Sequence, residues 1–128
     1  MALKNPRAIA ARDYLRSRVS EHRLQAMVLA YVSAHPDVYA FAIPNAAKRS
    51  PMLAARMKAE GLRAGVADLA IMLPGGRMAW LELKDGKGKQ SDAQKGFEAI
   101  CARLGHHYAV VRSLDEAITI LKQWGALT

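Results

Sequence analysis

A hairpin signature in the middle of the chain narrows the folds open to it more than any other part of the sequence. Two strand-like runs, Val66 to Leu73 and Met78 to Lys84, are separated by Pro74-Gly75-Gly76-Arg77. Pro and Gly between two such runs are typical of a tight turn. Each run is interrupted by one acid, Asp68 in the first and Glu82 in the second. The sequence therefore predicts an antiparallel hairpin that carries two carboxylates.

The length of the hairpin loop decides which side chains share a face. Alternate residues of a strand point the same way, so Glu82 and Lys84 lie on one face. A two-residue loop places Asp68 opposite Leu83, on the other face, because directly opposed residues share a side. A three-residue loop from Pro74 to Gly76, with a glycine in the left-handed region, places Asp68 opposite Glu82. We predict the second arrangement, in which both acids converge with Lys84.

The other patterns predict one α/β domain preceded by a short arm. At 128 residues the chain is long enough for one compact core. Residues 1–20, rich in Arg and Ala, are predicted to form a basic helical arm, and residues 21–128 the main domain. The predicted elements outside the hairpin are a helix from Ser20 to His35, a strand over Val38–Ile43, a helix from Ser50 to Glu60, a helix with the capping box Ser91-Asp-Ala-Gln94, a strand over His107–Arg112 and a helix with the capping box Ser113-Leu-Asp-Glu116. The order α-β-α-β-β-α-β-α predicts a mixed sheet flanked by helices.

The charge balance points to an anionic partner. Lys and Arg number 19 against 11 Asp and Glu, a formal net charge of +8. Nucleic acid suits such a surface, because each phosphate neutralised by Lys or Arg releases a condensed counterion. A basic surface without a specific partner is the alternative. The single cysteine, Cys101, lies at core spacing and fits a reducing cytoplasm, and no apolar run approaches the roughly 20 residues that span a bilayer.

The predicted convergence of Asp68, Glu82 and Lys84 has a chemical use. Two carboxylates offer hard oxygen ligands, and Mg²⁺ is commonly held by one or two carboxylates with water and substrate phosphate. The metal polarises a phosphoryl oxygen and lowers the pKa of bound water, while Lys84 stabilises the attacking hydroxide or the developing charge. The alternative is an ion-pair cluster that closes the hairpin. Glu21 begins the inner stripe of the first long helix, where the helix dipole is an alternative reason for an acid.

A longer frame surrounds these residues. It consists of Ile43-Pro-Asn45, Lys48-Arg49-Ser50, Lys58-Ala-Glu-Gly61, Gly65-Val-Ala-Asp68-Leu69, Glu82-Leu-Lys84 and Ser91-Asp-Ala-Gln94. The core motif resembles the PD-(D/E)xK nuclease superfamily, and the whole frame resembles its VRR-NUC family, in particular the stand-alone phage and bacterial members. The resemblance spans roughly Ser20 to Leu121. The sequence departs from the family pattern at Ala67, where proline is usual, and at Ala46-Ala47, where glycines are common.

The resemblance implies a restriction-endonuclease-like fold and a metal-dependent DNA endonuclease. It implies that the metal ligands are Asp68, Glu82, the main-chain carbonyl of Leu83 and the helical acid Glu21. The catalytic set is Asp68, Glu82, the catalytic lysine Lys84, and Gln94, which orders the site. It further implies Mg²⁺ or Mn²⁺ as cofactor, a homodimer, and selectivity for branched DNA such as four-way (Holliday) junctions, in the cytoplasm of a bacterial cell or a phage-infected host.

Basic residues around the predicted site are candidates for phosphate contact. Lys87 and Lys89 follow the second hairpin strand on a loop that contains glycine and is predicted to be flexible, and Lys48 and Arg49 precede the next helix. A solvated charge run is the alternative for each pair. For the whole protein, a DNA-binding or branch-recognition module that does not cut and an RNA-directed nuclease also remain open. Trp80 and Trp124 lie at core spacing, which favours packing over base stacking.

Overall fold

The computed structural model describes residues 21–44 and 49–127 of the chain. Helix α1 occupies residues 21–33 of this part. The remaining elements are β1 Tyr39–Ala42, α2 Pro51–Ala59, β2 Leu69–Leu73, β3 Arg77–Leu83, α3 Asp92–Leu104, β4 His107–Val111 and α4 Leu114–Gln123. This order is the predicted one, and the α/β class is confirmed. The predicted arm over residues 1–20 and the predicted contact residue Lys48 lie outside the described residues.

One mixed sheet connects the four described strands in the order β1-β2-β3-β4. The pairs β1–β2 and β2–β3 are antiparallel, whereas β3 and β4 are parallel. A parallel pair needs a crossover connection, and α3 provides it between β3 and β4. The hairpin predicted from the sequence, formed by β2 and β3, therefore lies at the centre of the sheet.

The main core lies on one face of this sheet, under α1 and α4. Odd-numbered residues of β2 and β3 point to this face because strand side chains alternate. They pack with the apolar stripes of the two helices, and the central members of the cluster are Leu24, Val28, Val32, Leu69, Ile71, Leu81, Leu83, Val111, Ala117 and Leu121. The buried part of this face is apolar, so its burial supplies most of the hydrophobic stabilisation.

Helix α3 lies on the opposite face of the sheet. Its Phe97 ring meets the Trp80 ring of β3 edge to face, with centroids 5.2 Å apart. Cys101 is its only buried residue, as predicted for that cysteine, and burial raises the pKa of the thiol. Because α3 covers the face to which Trp80 points, it also faces Glu82, two residues farther along the same strand.

Side-chain caps define where the helices begin. Ser50 accepts the N–H of Leu53 at the start of α2, and Pro51 takes the first helical position. The reciprocal capping box of Ser91 and Gln94 is present at α3. At α4 the predicted box is only half correct: Ser113 accepts the N–H of Glu116, but Glu116 accepts the N–H of Arg112 instead of the cap residue's own. None of the described helices is long and apolar enough to cross a membrane.

Strand boundaries differ from prediction where side chains replace the ladder. The predicted strand from Val66 begins only at Leu69, because Gly65 turns the chain at φ +85° and the carboxylate of Asp68 accepts the N–H of Leu83. β1 is one residue shorter at each end than predicted. The early end of β2 matters for chemistry, since it leaves the Asp68 side chain at the mouth of the hairpin.

Candidate active site

The loop of the β2–β3 hairpin has the predicted length of three residues. Leu73 pairs with Arg77, and both Gly75 and Gly76 have positive φ, 79° and 73°. Leu69 pairs with Leu81, so one further step along the same register sets Asp68 opposite Glu82. The predicted register is therefore confirmed, and both acids belong to the α3 face.

Asp68 is held from both sides of its strand. Its main-chain carbonyl accepts the N–H of Ile43 at 2.9 Å, and its Oδ2 accepts the N–H of Leu83 at 2.8 Å. These two bonds orient the carboxylate toward β3 without neutralising it, because main-chain N–H groups carry no net charge. Ala67, the departure from the family's proline, is fully buried and does not disturb this arrangement.

Glu82 is the one charged side chain that is buried within the described part of the chain, with 2% exposure. Burial raises the pKa of its carboxyl group to about 8, helped by the negative charge of Asp68 and, more weakly, that of Glu21. Gln94 Nε2 donates to Glu82 Oε1 at 2.9 Å, and Lys84 Nζ lies 3.7 Å from the same oxygen. The positive charge of Lys84 opposes the rise in pKa but does not cancel it.

The second oxygen of Glu82 decides what the site can hold. Oε2 is buried and has no hydrogen-bond partner. The carboxyl group of Glu82 lies close enough to that of Asp68 for a hydrogen bond to form when one of the two acids carries a proton. Two ionised carboxylates have no donor to share, so either a proton or a cation must lie between them. The pair therefore fits a divalent cation, which satisfies both acids at neutral pH.

Gln94 is fixed by both ends of its amide. Its Oε1 accepts the N–H of Ser91 at 2.8 Å within the capping box. This leaves the amide NH2 group, Nε2, directed at Glu82. The first turn of α3 thereby positions a neutral donor against the buried acid. The amide holds Glu82 in one orientation without adding charge.

Glu21, on α1, also lies at the site of the two hairpin acids. A cavity of about 280 Å³ is lined by Glu21, Ala64, Gly65, Val66, Asp68, Glu82, Lys84, Ser91, Ala93 and Gln94. A smaller one of about 90 Å³ contains Glu21, His22, Gln25, Asp68 and Leu83. The structure thus brings all the predicted catalytic residues and Glu21 to one cavity, with Leu83 on the neighbouring one. Their roles in catalysis and metal binding stay predictions.

The ligand set for a cation is small. Within residues 21–44 and 49–127, no three His, Cys, Asp or Glu side chains gather as a metal cage. Asp68 and Glu82 are neighbours, so a cation held by this pair would need further ligands from Glu21, water, main-chain oxygens or substrate. Such incomplete protein coordination is typical of Mg²⁺, which keeps several waters and meets substrate phosphate.

The loop after β3 is anchored, contrary to the predicted flexibility. Asp85 Oδ1 accepts the N–H groups of Lys87 and Gly88, and Arg112 Nη1 donates to the carbonyls of Asp85 and Gly88, both at 2.7 Å. Lys87 and Lys89 remain exposed on this loop. The Asp-Gly-Lys-Gly pattern suggests the turn at Asp85, but no local signal reveals Arg112, which lies 27 residues away from Asp85.

The two tryptophans, Trp80 and Trp124, pack against other side chains as predicted. Trp80 Nε1 donates to His106 Nδ1 at 3.0 Å while its ring meets Phe97, and the Trp124 ring stacks on His107 with centroids 5.2 Å apart. Each indole therefore has a partner inside the protein. Arg49, which is predicted to contact phosphate together with the undescribed Lys48, lines a second cavity beside the acidic one.

Comparison with known proteins supports the architecture. No family model matches the sequence, and no curated protein does. Among solved structures, one named "VRR_NUC domain" is similar with a TM-score of 0.62 and 21% identity, over 82% of this chain and 97% of that one. Another, named "VRR_NUC domain protein", has a TM-score of 0.63 and 24% identity, over 82% of this chain and 87% of that one. The chain therefore has the fold of VRR_NUC domains, as the sequence resemblance implies.

Proposed function

We propose that the protein is a metal-dependent nuclease that hydrolyses phosphodiester bonds in DNA. The observation that carries this proposal is the buried Glu82, whose Oε2 has no donor and whose neighbour is a second acid, Asp68. Burying such a group destabilises a fold, and strongly shifted carboxyl groups in clefts are typical of catalytic sites. An ion pair of Glu82 with Lys84 alone is weakened by the second acid, because the negative charge of Asp68 raises the pKa of Glu82.

Each residue at the site has a task in this reaction. Asp68 and Glu82 would hold the cation, with Glu21 and the main-chain carbonyl of Leu83 as the further ligands implied by the family resemblance. When bound, Mg²⁺ or Mn²⁺ supplies a Lewis acid that polarises a phosphoryl oxygen and lowers the pKa of water. Lys84 lies beside Glu82 and offers positive charge to the attacking oxygen or the phosphoryl group. Gln94 keeps Glu82 oriented.

The surroundings of the site favour a nucleic acid as substrate, and the family resemblance favours DNA. The formal net charge of +8 attracts a polyanion, and the exposed Lys87 and Lys89 lie on an anchored loop that directly follows Lys84. The phosphate backbone supplies most nonspecific affinity for such a surface. The family resemblance extends the proposal to endonucleolytic cleavage of branched DNA, four-way junctions included, in the cytoplasm.

We include a homodimer in the proposal, since two arms of a branched substrate suit two active sites related by a two-fold axis. Tyr39, Phe41 and Met72 support it, because they share the α3 face on β1 and β2 and are 66%, 38% and 52% exposed. A second copy would cover these side chains. Sedimentation velocity at micromolar concentration should give the mass of a dimer, and a monomer there contradicts this part.

The test is cleavage of labelled linear duplex, flapped DNA, a four-way junction and an RNA duplex. Each substrate is incubated with Mg²⁺, Mn²⁺ or EDTA, with wild type beside Asp68→Asn. We expect metal-dependent cutting of DNA, fastest on the junction, and its loss in the variant with binding retained. Binding without cutting by wild type would favour a silent recognition module, and faster cutting of RNA would favour an RNA-directed nuclease. Either result overturns the proposal.

A further inference from the structure

A second cavity, of about 350 Å³, adjoins the acidic one. Its lining residues are Arg49, Lys58, Leu62, Arg63, Ala64 and Gly65. Three of the six are cations and none is an acid. The cavity therefore combines room for a tetrahedral anion with a local excess of positive charge.

The two cavities share a wall. Ala64 and Gly65 line both of them. Gly65 has φ +85°, and a Cβ at this position would lie 2.2 Å from the main-chain oxygen of Ala93. Only glycine permits this approach, so the segment is pressed against the first turn of α3. This wall of the basic cavity is thus held close to the first turn of α3, which carries Gln94.

The guanidinium group of Arg63 is held in one orientation, but its charge is not neutralised. Its Nη1 donates to the main-chain carbonyls of Lys58 and Leu62, at 3.2 and 3.3 Å. Carbonyl oxygens orient a guanidinium without cancelling its charge, and the remaining N–H groups suit a second acceptor. Arg56, on the same segment but not in the cavity wall, is instead paired with Glu60 at 3.2 Å.

We propose that the cavity of Arg49, Lys58 and Arg63 binds a backbone phosphate of the nucleic acid that neighbours the phosphate being cleaved. This inference rests on the proposed function, because the shared wall at Ala64 and Gly65 sets the two phosphates side by side along one strand. Arg63 meets the phosphate oxygens with its planar fork, and Lys58 adds a point charge. Such a contact carries no sequence information and positions the strand for attack.

The experiment compares the double variant Arg63→Gln/Lys58→Gln with the charge-matched control Arg103→Gln/Lys122→Gln. Arg103 and Lys122 are exposed and lie in the last turns of α3 and α4. Cleavage of covalently closed plasmid is measured with Mg²⁺, and duplex binding is measured against salt with Ca²⁺. We expect KM to rise by about 10-fold with kcat nearly unchanged, and the log–log salt slope to fall by about 0.9, as for one lost phosphate contact. The control should keep both values.

Arg63→Lys separates charge from loop structure. It retains the cation but alters the bonds to the two carbonyls, so we expect most of the affinity to remain. Thermal melts should show all variants folded. An unchanged KM and salt slope in the double variant would overturn the inference. The proposed function would stand in that case, provided that the wild type cuts the plasmid. A rise in KM confined to linear DNA with a 5′-phosphate, with plasmid cleavage unchanged, would also overturn it. Closed plasmid has only internal phosphates, so this result would mean that the cavity binds a terminal phosphate instead. Failure of wild type to cut would instead remove the proposed function.

Discussion

The two faces of the β2–β3 hairpin differ sharply although their residues alternate along the same strands. On the face under α1 and α4, Leu69, Ile71, Leu81 and Leu83 are almost completely buried among apolar side chains. On the face under α3, Glu82 is buried equally deeply, but its neighbours are Asp68, Lys84 and Gln94. The first face stabilises the fold. The second face gives up stability to hold acids together, which supports the proposal that this is the catalytic face.

Truncation on the apolar face should produce the largest loss of stability. Leu81→Ala removes a buried side chain from the centre of the core, and we expect a cost of about 2–5 kcal/mol in the free energy of unfolding. Glu82→Gln, one residue away and equally buried, should fold at least as stably as wild type at pH 8. Urea unfolding of both variants in EDTA provides the comparison. A cost for Glu82→Gln that matches that of Leu81→Ala would erase the proposed difference between the faces.

The buried acid should make the metal-free protein less stable as pH rises. The pKa of Glu82 is 4.5 in the unfolded chain and about 8 in the folded one. Between these values unfolding releases a proton, so the stability present below pH 4.5 is lost progressively up to pH 8. The slope should approach about 1.4 kcal/mol per pH unit.

Unfolding curves in EDTA between pH 5 and 9 measure this slope, and Glu82→Gln should lack the component. Adding Mn²⁺ at pH 8 should raise the stability of wild type, because a cation replaces the missing proton between the acids. The same slope in wild type and variant would show that Glu82 is not the group responsible.

Changes at Gln94 should move the pH at which the site becomes active. Gln94→Glu replaces the donor to Glu82 with a further carboxylate, whereas Gln94→Ala only removes the donor. Because a donor stabilises an ionised carboxylate, we expect both variants to raise the pKa of Glu82, and the midpoint of the pH–rate profile to rise by about one unit in the Glu variant and by less in the Ala variant. Profiles with the reverse order would mean that the amide does not act through Glu82.

A methyl group in the loop after β3 should have the smallest effect. A Cβ on Gly88 would lie 3.2 Å from Asp85 Oδ1 and 3.3 Å from both Glu21 Oε1 and Lys84 Cδ, whereas one on Gly86 meets nothing within 4 Å. Neither glycine has a positive φ. Gly88→Ala should therefore slow cleavage by a few-fold with less than about 1 kcal/mol lost, and Gly86→Ala should match wild type. Equal rates would show that this loop does not support the site.

Local patterns in the sequence predicted the central hairpin well. The alternation of apolar residues and the three-residue loop together determine that Asp68 opposes Glu82, since both depend on residues close in sequence. The capping box at Ser91 likewise placed Gln94 on the inner side of α3. These features require no knowledge of the distant chain.

Contacts between distant segments could not be predicted in this way. Arg112 anchors the loop at Asp85 from the end of β4, and its role depends on the parallel pairing of β3 with β4. The basic cavity depends on how closely Gly65 approaches Ala93. The lack of a hydrogen-bond partner for Glu82 Oε2 arises only once the site is assembled, because it depends on the burial that α3 completes.

The most direct test of the account is the cleavage of covalently closed plasmid by the purified protein and by Glu82→Gln. We predict nicking or linearisation that requires Mg²⁺ or Mn²⁺ and stops in EDTA. The cleavage rate should fall by at least about 100-fold in the variant, because one buried carboxylate that would hold the cation is lost. Cutting by Glu82→Gln at the wild-type rate, or cutting that persists in EDTA, would contradict the claim that the acids on the α3 face are a metal-dependent catalytic centre.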